Sequence, residues 1–356
     1  MTINFILPSE GNVPIGGFKI IYEYANRLSD RGNTVILTHT QNKKSDLFGL
    51  KKFVNILRYL KKKFLNSYGP QNWFPVNNNI KINWIPYLNN RFIPEADVVV
   101  ATEWTTANPV YRFDISKGRK YYFIQSFESW QGPEELVIES WKLPLKKIVI
   151  SKWLKEISDK LKLNVEYIPN GLDYDKFGMD ILPEKKDKYS IMMLYNENPV
   201  KGSTFGLKAI IESKQFVSKL KAVLFGACDP PPNLPSWIKF YKTPDQKLLR
   251  KLYNTSAIFI SPSFMEGFPL PPAECMMCGS ALVATNIGGH QEYAINGVNS
   301  LLSPPGETKL MSDNLVKLIN DDELRYTLAY RGHKDISIYK WDSSVDKLEK
   351  YFAIEI

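Results

Sequence analysis

The stretch SPSFMEGFPLPPAECMMCGSALVATNIGG, Ser261 to Gly289, restricts what this chain can fold into more than any other. It reads as a strand end, a short loop, a helix, a glycine stop, a second strand and a glycine turn. Strand, crossover helix and strand in so short a span demand a parallel α/β sheet. Pro271 and Pro272 suit a first helical turn, where amide hydrogens have no helical partner. Gly279 suits the stop, and ALVAT continues as a buried strand. Glu266 is thereby expected in the strand-to-helix loop and Glu274 in the first turn of the helix. A lone glutamate there ordinarily just offsets the helix dipole. A pair framed by Gly267 and by Gly288-Gly289 says more: a helix N-terminus attracts phosphate, and carboxylates accept hydrogen bonds from sugar hydroxyls.

The rest of the chain sets the context. With 356 residues there is room for two ordinary domains, and 44% apolar with 23% charged residues is a soluble globular balance. No apolar run approaches the ~20 residues that cross a bilayer, and MTINFILP lacks the basic start of a signal peptide, so a cytoplasmic protein is expected. Cys228, Cys275 and Cys278 make no disulfide framework. The Cys275–Cys278 C-x-x-C, lying within the helix and without a second pair, reads as packing thiols rather than a redox or zinc motif.

Ile3–Leu7 and Thr34–Thr38 read as parallel strands joined by a Gly16-Gly17 turn and a helix with apolar residues at Ile20, Ile21, Tyr24, Ala25 and Leu28. The dinucleotide fingerprint G-x-G-x-x-G is absent. Further strand-like runs, 81–86, 97–104 and 120–126, end in Thr102, Glu103, Trp104, Gln125, Ser126, Glu128 and Trp130. Ligands of open parallel sheets lie at the carboxyl ends of strands, which makes these candidates for an acceptor pocket. Glu103 and Glu128 are the candidates for taking a proton from an attacking hydroxyl.

The net charge of +9 is concentrated: residues 1–165 hold 24 Lys and Arg against 14 Asp and Glu. Residues 43–65 supply eight of those basic side chains (Lys43, Lys44, Lys51, Lys52, Arg58, Lys61, Lys62 and Lys63) against Asp46 alone. Phe53, Ile56, Leu57, Leu60 and Phe64 share one helical face. A basic amphipathic helix of this kind fits an anionic membrane surface through Lys51, Lys52, Phe53, Arg58, Lys61, Lys62 and Lys63. The ordinary alternative packs that apolar face on the domain. No nucleic-acid module accompanies the charge, and no nucleic-acid partner is expected.

The run EGFPLPPAECMMCG, then ALVATN and GGHQE, resembles the E-x7-E signature of family 4 glycosyltransferases, which have the GT-B fold. Likeness continues in VEYIPNGLDYDKF, NGVNSLLSPPGE and KWDSSVDKLEKYF, and is thin over 40–160. It implies two Rossmann-like α/β domains with parallel sheets facing a central cleft: 1–170 for the acceptor, 171–339 for the nucleotide-sugar donor, and a helix 340–356 crossing back. It further implies transfer from a nucleotide-diphosphate sugar to a glycan or lipid-linked hydroxyl, retention of configuration, no cofactor and no metal. Glu266 would accept from hydroxyls of the transferred sugar and Glu274 from the ribose. Lys201, with the amides of Gly267, Phe268 and Leu270, would neutralise the diphosphate, with Gly16 and Gly17 near it and Gly226 and Thr243 holding the base. Asn196 stands where the family has arginine, which removes a charge and a bidentate fork. Pro269 replaces a glycine, so the phosphate-facing turn has fewer amides. Many family members carry a histidine in the acceptor part of the cleft; none is expected there, because His39, His290 and His333 all fall outside these strand ends, and His290 reads as a loop residue. The runs ATEWTTA and FIQSFE resemble bacterial rhamnosyltransferases of surface-polysaccharide assembly, placing the protein at the inner face of the plasma membrane. A non-catalytic GT-B subunit that binds a partner or glycan is the alternative, and Asn196 is its support.

Overall fold

The computed structural model describes residues 1–42 and 50–354 and divides into two compact units. Met1–Ile150, Leu154–Pro169 and Asp342–Ile356 make the first, and Ser151–Trp153 with Asn170–Trp341 make the second. Lys43, Lys44 and Asp46 lie outside the described residues, as do the side chains of Lys51, Lys52 and Phe53.

The first unit is built on seven parallel strands, β1 (Thr2–Leu7), β2 (Thr34–Asn42), β3 (Lys81–Tyr87), β4 (Val98–Ala101), β5 (Arg119–Ile124), β6 (Lys146–Val149) and β7 (Val165–Tyr167), in the order β3-β2-β1-β4-β5-β6-β7. Val98, Val99, Val100 and Ala101 are all buried. Such an unbroken apolar run is what a strand covered on both faces requires. The helices are α1 (Gly16–Asp30), α2 (Leu50–Phe64), α3 (Trp104–Tyr111), α4 (Glu134–Lys142) and α5 (Lys152–Lys160). Two expectations are corrected here. Gly16 and Gly17 are the first residues of α1, not a turn before it, because Ile15 already takes the extended N-cap conformation. The run 97–104 stops being strand at Ala101, since Thr106 Oγ1 accepts from the amides of Thr102 and Glu103 and winds the chain into α3.

The second unit has six parallel strands, β8 (Ser190–Leu194), β9 (Lys221–Gly226), β10 (Ile238–Lys242), β11 (Ile258–Ser261), β12 (Ala281–Thr285) and β13 (Ser300–Ser303), in the order β10-β9-β8-β11-β12-β13. Its helices are α6 (Ser203–Phe216), α7 (Gln246–Thr255), α8 (Leu270–Met277), α9 (Gly288–Gln291), α10 (Thr308–Asn320) and α11 (Asp322–Ile336). A last helix, α12 (Trp341–Ala353), packs in the first unit, where Tyr121 meets Phe352 edge-on and Arg31 bridges Asp346 and Glu349. Cys275 and Cys278 are free and buried in and just after α8. Burial pushes both thiols up, that of Cys278 to about 12, which disfavours the thiolate that redox chemistry needs.

Candidate active site

In the second unit the stretch 261–292 gathers residues from three strand ends. After β8 the chain makes a tight turn, Pro199–Lys201, and enters α6 through Gly202. Gly202 has φ +60°, and a Cβ there would lie 2.1 Å from the Pro262 carbonyl oxygen, so only glycine lets this turn sit against the loop after β11. Phe264 N donates to Val200 O at 2.8 Å and ties turn to loop. Lys201 Nζ then reaches both oxygens of Glu266 at 2.8 Å, and Ser263 Oγ donates to Oε1 at 2.8 Å. Glu266 is held by its backbone too: a side chain on Gly289 would stand 2.5 Å from its carbonyl oxygen. The expected phosphate cation and sugar-binding carboxylate are thus partners of each other.

Behind them lies His290, fully buried in α9 and not in a loop. Ser261 Oγ and His290 Nε2 are 2.8 Å apart, and Nδ1 meets Thr285 O at 2.8 Å, so every ring nitrogen is used. Burial pushes its pKa down to about 4, against a smaller upward pull from Glu266. Thr285 Oγ1 also donates to Ser263 O, linking the histidine to the serine that holds Glu266.

Glu274 corrects a second expectation. The helix starts at Leu270 behind an extended Pro269, so Pro271 and Pro272 finish its first turn and Glu274 falls in the second. It is buried, at 5% exposure, and accepts from Tyr253 OH of α7 at 3.0 Å. Among the described residues, the amides of Gly267, Phe268 and Leu270 have no hydrogen-bond partner, which leaves three donors at the start of α8. Asn196 bonds within its own loop: its Oδ1 accepts from Asn198 N at 2.8 Å. Gly226 and Thr243 adjoin at the ends of β9 and β10 through a 2.8 Å bond from Thr243 N to Gly226 O.

The first unit brings together a different pair. Glu103 is the N-cap of α3, and Thr105 Oγ1 donates to its carboxylate. Buried Glu128 accepts from Trp104 N at 2.9 Å. Burial, then the nearby Glu103 charge, raise the Glu128 pKa well above the usual carboxylate range. Thr102 caps β1 by donating to Ile6 O, and Gln125 Nε2 donates to Thr102 O at 3.3 Å. Trp130 and Ser126 lie on the same loop after β5. The buried histidine of this unit is His39, near the end of β2, whose Nδ1 meets Ser9 O at 2.7 Å. Among the described residues no three His, Cys, Asp or Glu side chains gather as a metal site.

Helix α2 is mounted the other way round from a core helix. Tyr59 stacks on Trp84 at 6.0 Å, and Lys62 pairs with Glu10. The apolar residues face outward: Leu57 and Leu60 are 52% exposed and Phe64 90%. Packing of that face on the domain is overturned, because the aromatic Tyr59, on the polar side, is what docks. No helix of the described residues is long and apolar enough to cross a membrane.

Sequence reasoning missed Ser263 and Tyr253. Ser263 stands three residues before Glu266, a spacing that signals it in retrospect. Tyr253 has no such signal, coming from a separate helix whose periodicity reads only as core.

Two parallel-sheet Rossmann-like units with these loops define the GT-B glycosyltransferase architecture. HepE of Anabaena, solved in complex with UDP-glucose, superposes with a TM-score of 0.73 at 15% identity, over 99% of each chain. Residues 179–335 match Glycosyl transferases group 1. The capsular polysaccharide biosynthesis glycosyltransferase CapM of Staphylococcus aureus is 25% identical over 283 residues, 70% of this chain and 72% of that protein. The N,N'-diacetylbacillosaminyl-diphospho-undecaprenol alpha-1,3-N-acetylgalactosaminyltransferase of Campylobacter jejuni is 30% identical over 141 residues, 38% of this chain and 37% of that protein. Over residues 179–335 the chain is therefore similar to group 1 glycosyl transferases.

Proposed function

We propose that the protein transfers a hexose, with rhamnose the first to try, from a nucleotide-diphosphate sugar to a hydroxyl of a glycan or lipid-linked glycan, without metal or cofactor and with retention of configuration. The observation that carries this reading is the Lys201–Glu266 pair beside three unpartnered amides. The pair holds both groups in place before the donor arrives. The diphosphate then takes the lysine and the amides of Gly267, Phe268 and Leu270, while a sugar hydroxyl donates to Glu266. Glu274, braced by Tyr253, accepts from the ribose, with Gly226 and Thr243 beside the base. Stabilising the departing nucleoside diphosphate is the main catalytic contribution, because its charge grows as the bond to the sugar breaks. Glu103 takes the acceptor proton; Glu128, whose pKa burial and then the Glu103 charge raise well above the usual carboxylate range, is the weaker candidate for that base. A screen of nucleoside-diphosphate sugars, UDP-glucose and dTDP-rhamnose included, by thermal shift and then by turnover tests this. No stabilisation and no turnover or hydrolysis with any donor would favour the second reading, a GT-B subunit that only binds, to which Asn196, its Oδ1 engaged by Asn198 N, lends support by standing where the family has arginine.

The same proposal seats α2 in the anionic inner face of the plasma membrane. Leu57, Leu60 and Phe64 enter the acyl boundary, with Arg58, Lys61 and Lys63 at the head groups. Flotation with phosphatidylglycerol vesicles should be lost in a Leu57→Gln, Leu60→Gln double variant. Undiminished flotation would remove the membrane from the reading.

A further inference from the structure

A groove of about 460 Å³ opens in the first unit, walled by α3 and α4 and reaching Pro8 and Thr40 after β1 and on β2. It is within the roughly 300–1,000 Å³ of small-molecule sites. Leu88, Trp104 and Leu136 supply apolar wall, and Thr105, Asn108 and Glu139 supply polar groups. Among the described residues that line it there is no Lys or Arg. The charge behind the wall is of the same sign: Thr105 donates to the Glu103 carboxylate.

That composition discriminates between the parts of a lipid-linked acceptor. A phosphate would meet carboxylates and no cation, an arrangement that repels it. An acyl or isoprenoid chain would strip water from the amide of Asn108 and the carboxylate of Glu139 without returning a hydrogen bond, a costly exchange. A sugar satisfies both surfaces, with C–H faces on the apolar wall and hydroxyls toward the amide and carboxylate. We propose that this groove binds an uncharged sugar of the acceptor, directly beside Glu103. The attacked hydroxyl then belongs to a glycan already begun, so an earlier glycosyl transfer must supply the substrate. This rests on the glycosyl-transfer reading above and narrows its acceptor.

The test uses the full chain, saturation-transfer NMR and three probes: neutral methyl glycosides of common hexoses and rhamnose, the hexose 6-phosphates, and farnesyl phosphate. At least one neutral glycoside should bind, and the phosphates at least about tenfold more weakly. Asn108→Trp, filling the groove from an exposed helical position, should weaken glycoside binding at least about tenfold while the thermal shift with UDP is unchanged. Glu139→Lys, a second variant should Asn108→Trp fold poorly, should move the preference toward the phosphates. No glycoside binding, binding untouched by both variants, or a wild-type preference for phosphate or farnesyl phosphate would each overturn the proposal. Failure of the donor screen with glycoside binding intact would instead break only the transfer reading.

Discussion

Each unit holds a carboxylate site at the ends of its strands, and the two are opposite in electrical character. Glu266 is met by Lys201 at 2.8 Å and by Ser263. Glu128 is buried, meets one backbone amide and the repulsion of Glu103, and burial first, then that repulsion, raises its pKa well above the usual carboxylate range. A carboxylate paired with a cation can exchange that partner for a ligand. Burial, and then a like charge beside it, favour the protonated form of a carboxyl group, and a carboxyl group that holds its proton can donate it. On the proposed function the contrast divides the labour: charge handling in the second unit, proton handling and neutral ligands in the first.

Lys201→Met should expose that division most strongly. It removes the cation facing the departing diphosphate, and turnover should fall by about 10²–10³-fold. Because the pair is partly exposed, stability should fall by only about 1–2 kcal/mol. Turnover within a few-fold of wild type, measured with the best donor of the screen, would mean that the amides of α8 alone carry the diphosphate.

The buried histidines sharpen the comparison from the acid side. Burial pushes His39 and His290 each down to about 4 from the usual 6.5. A base with a lowered folded-state pKa contributes stability that is complete above 6.5 and is lost as pH falls through about 4. Each should contribute up to about 3 kcal/mol at neutral pH. His39→Gln and His290→Gln should each flatten the fall in Tm between pH 6.5 and about 4, one in each unit. Glu128 has the opposite sign. Its raised folded-state pKa contributes stability that is full below 4.5 and is lost as pH rises through the folded value. Glu128→Gln can still accept from Trp104 N, so the variant should gain Tm relative to wild type as the pH is raised. An unchanged difference across that range would show that burial does not hold the proton on Glu128.

How much of this was legible depends on what each feature was written in. The β11–α8–β12 segment could be read because its signals are local: an unbroken apolar run, prolines at a helix start and glycine after its end. The position of Glu274 was misread by one turn for a reason equally local. Pro271 and Pro272 tolerate any of the first positions, and Leu270 began the helix ahead of them. Helix α2 was legible as amphipathic but not in its orientation. Periodicity separates two faces and cannot say which one docks; that was decided by Trp84, stacked between Tyr59 and Tyr68. The electrostatic contrast was not legible at all. Lys201 and Glu266 are 65 positions apart, and only the register of parallel strands brings their loops together.

The smallest expected effect concerns Glu274. It accepts from a phenol, Tyr253, which is buried and whose ring packs edge-on against Phe177 at 5.5 Å and Phe225 at 5.9 Å. Tyr253→Phe keeps that packing and removes a single donor. Stability should fall by about 1 kcal/mol, the ordinary worth of one hydrogen bond, as read by urea unfolding. The functional consequence follows from geometry rather than charge. A phenol that fixes one oxygen of Glu274 fixes the direction of the other, so its loss should raise the KM for the donor a few-fold and leave kcat nearly unchanged. A fall in kcat with an unaltered KM would mean that Tyr253 steadies α8 and its amides, and that Glu274 acts with Lys201 on the leaving group instead of holding the ribose.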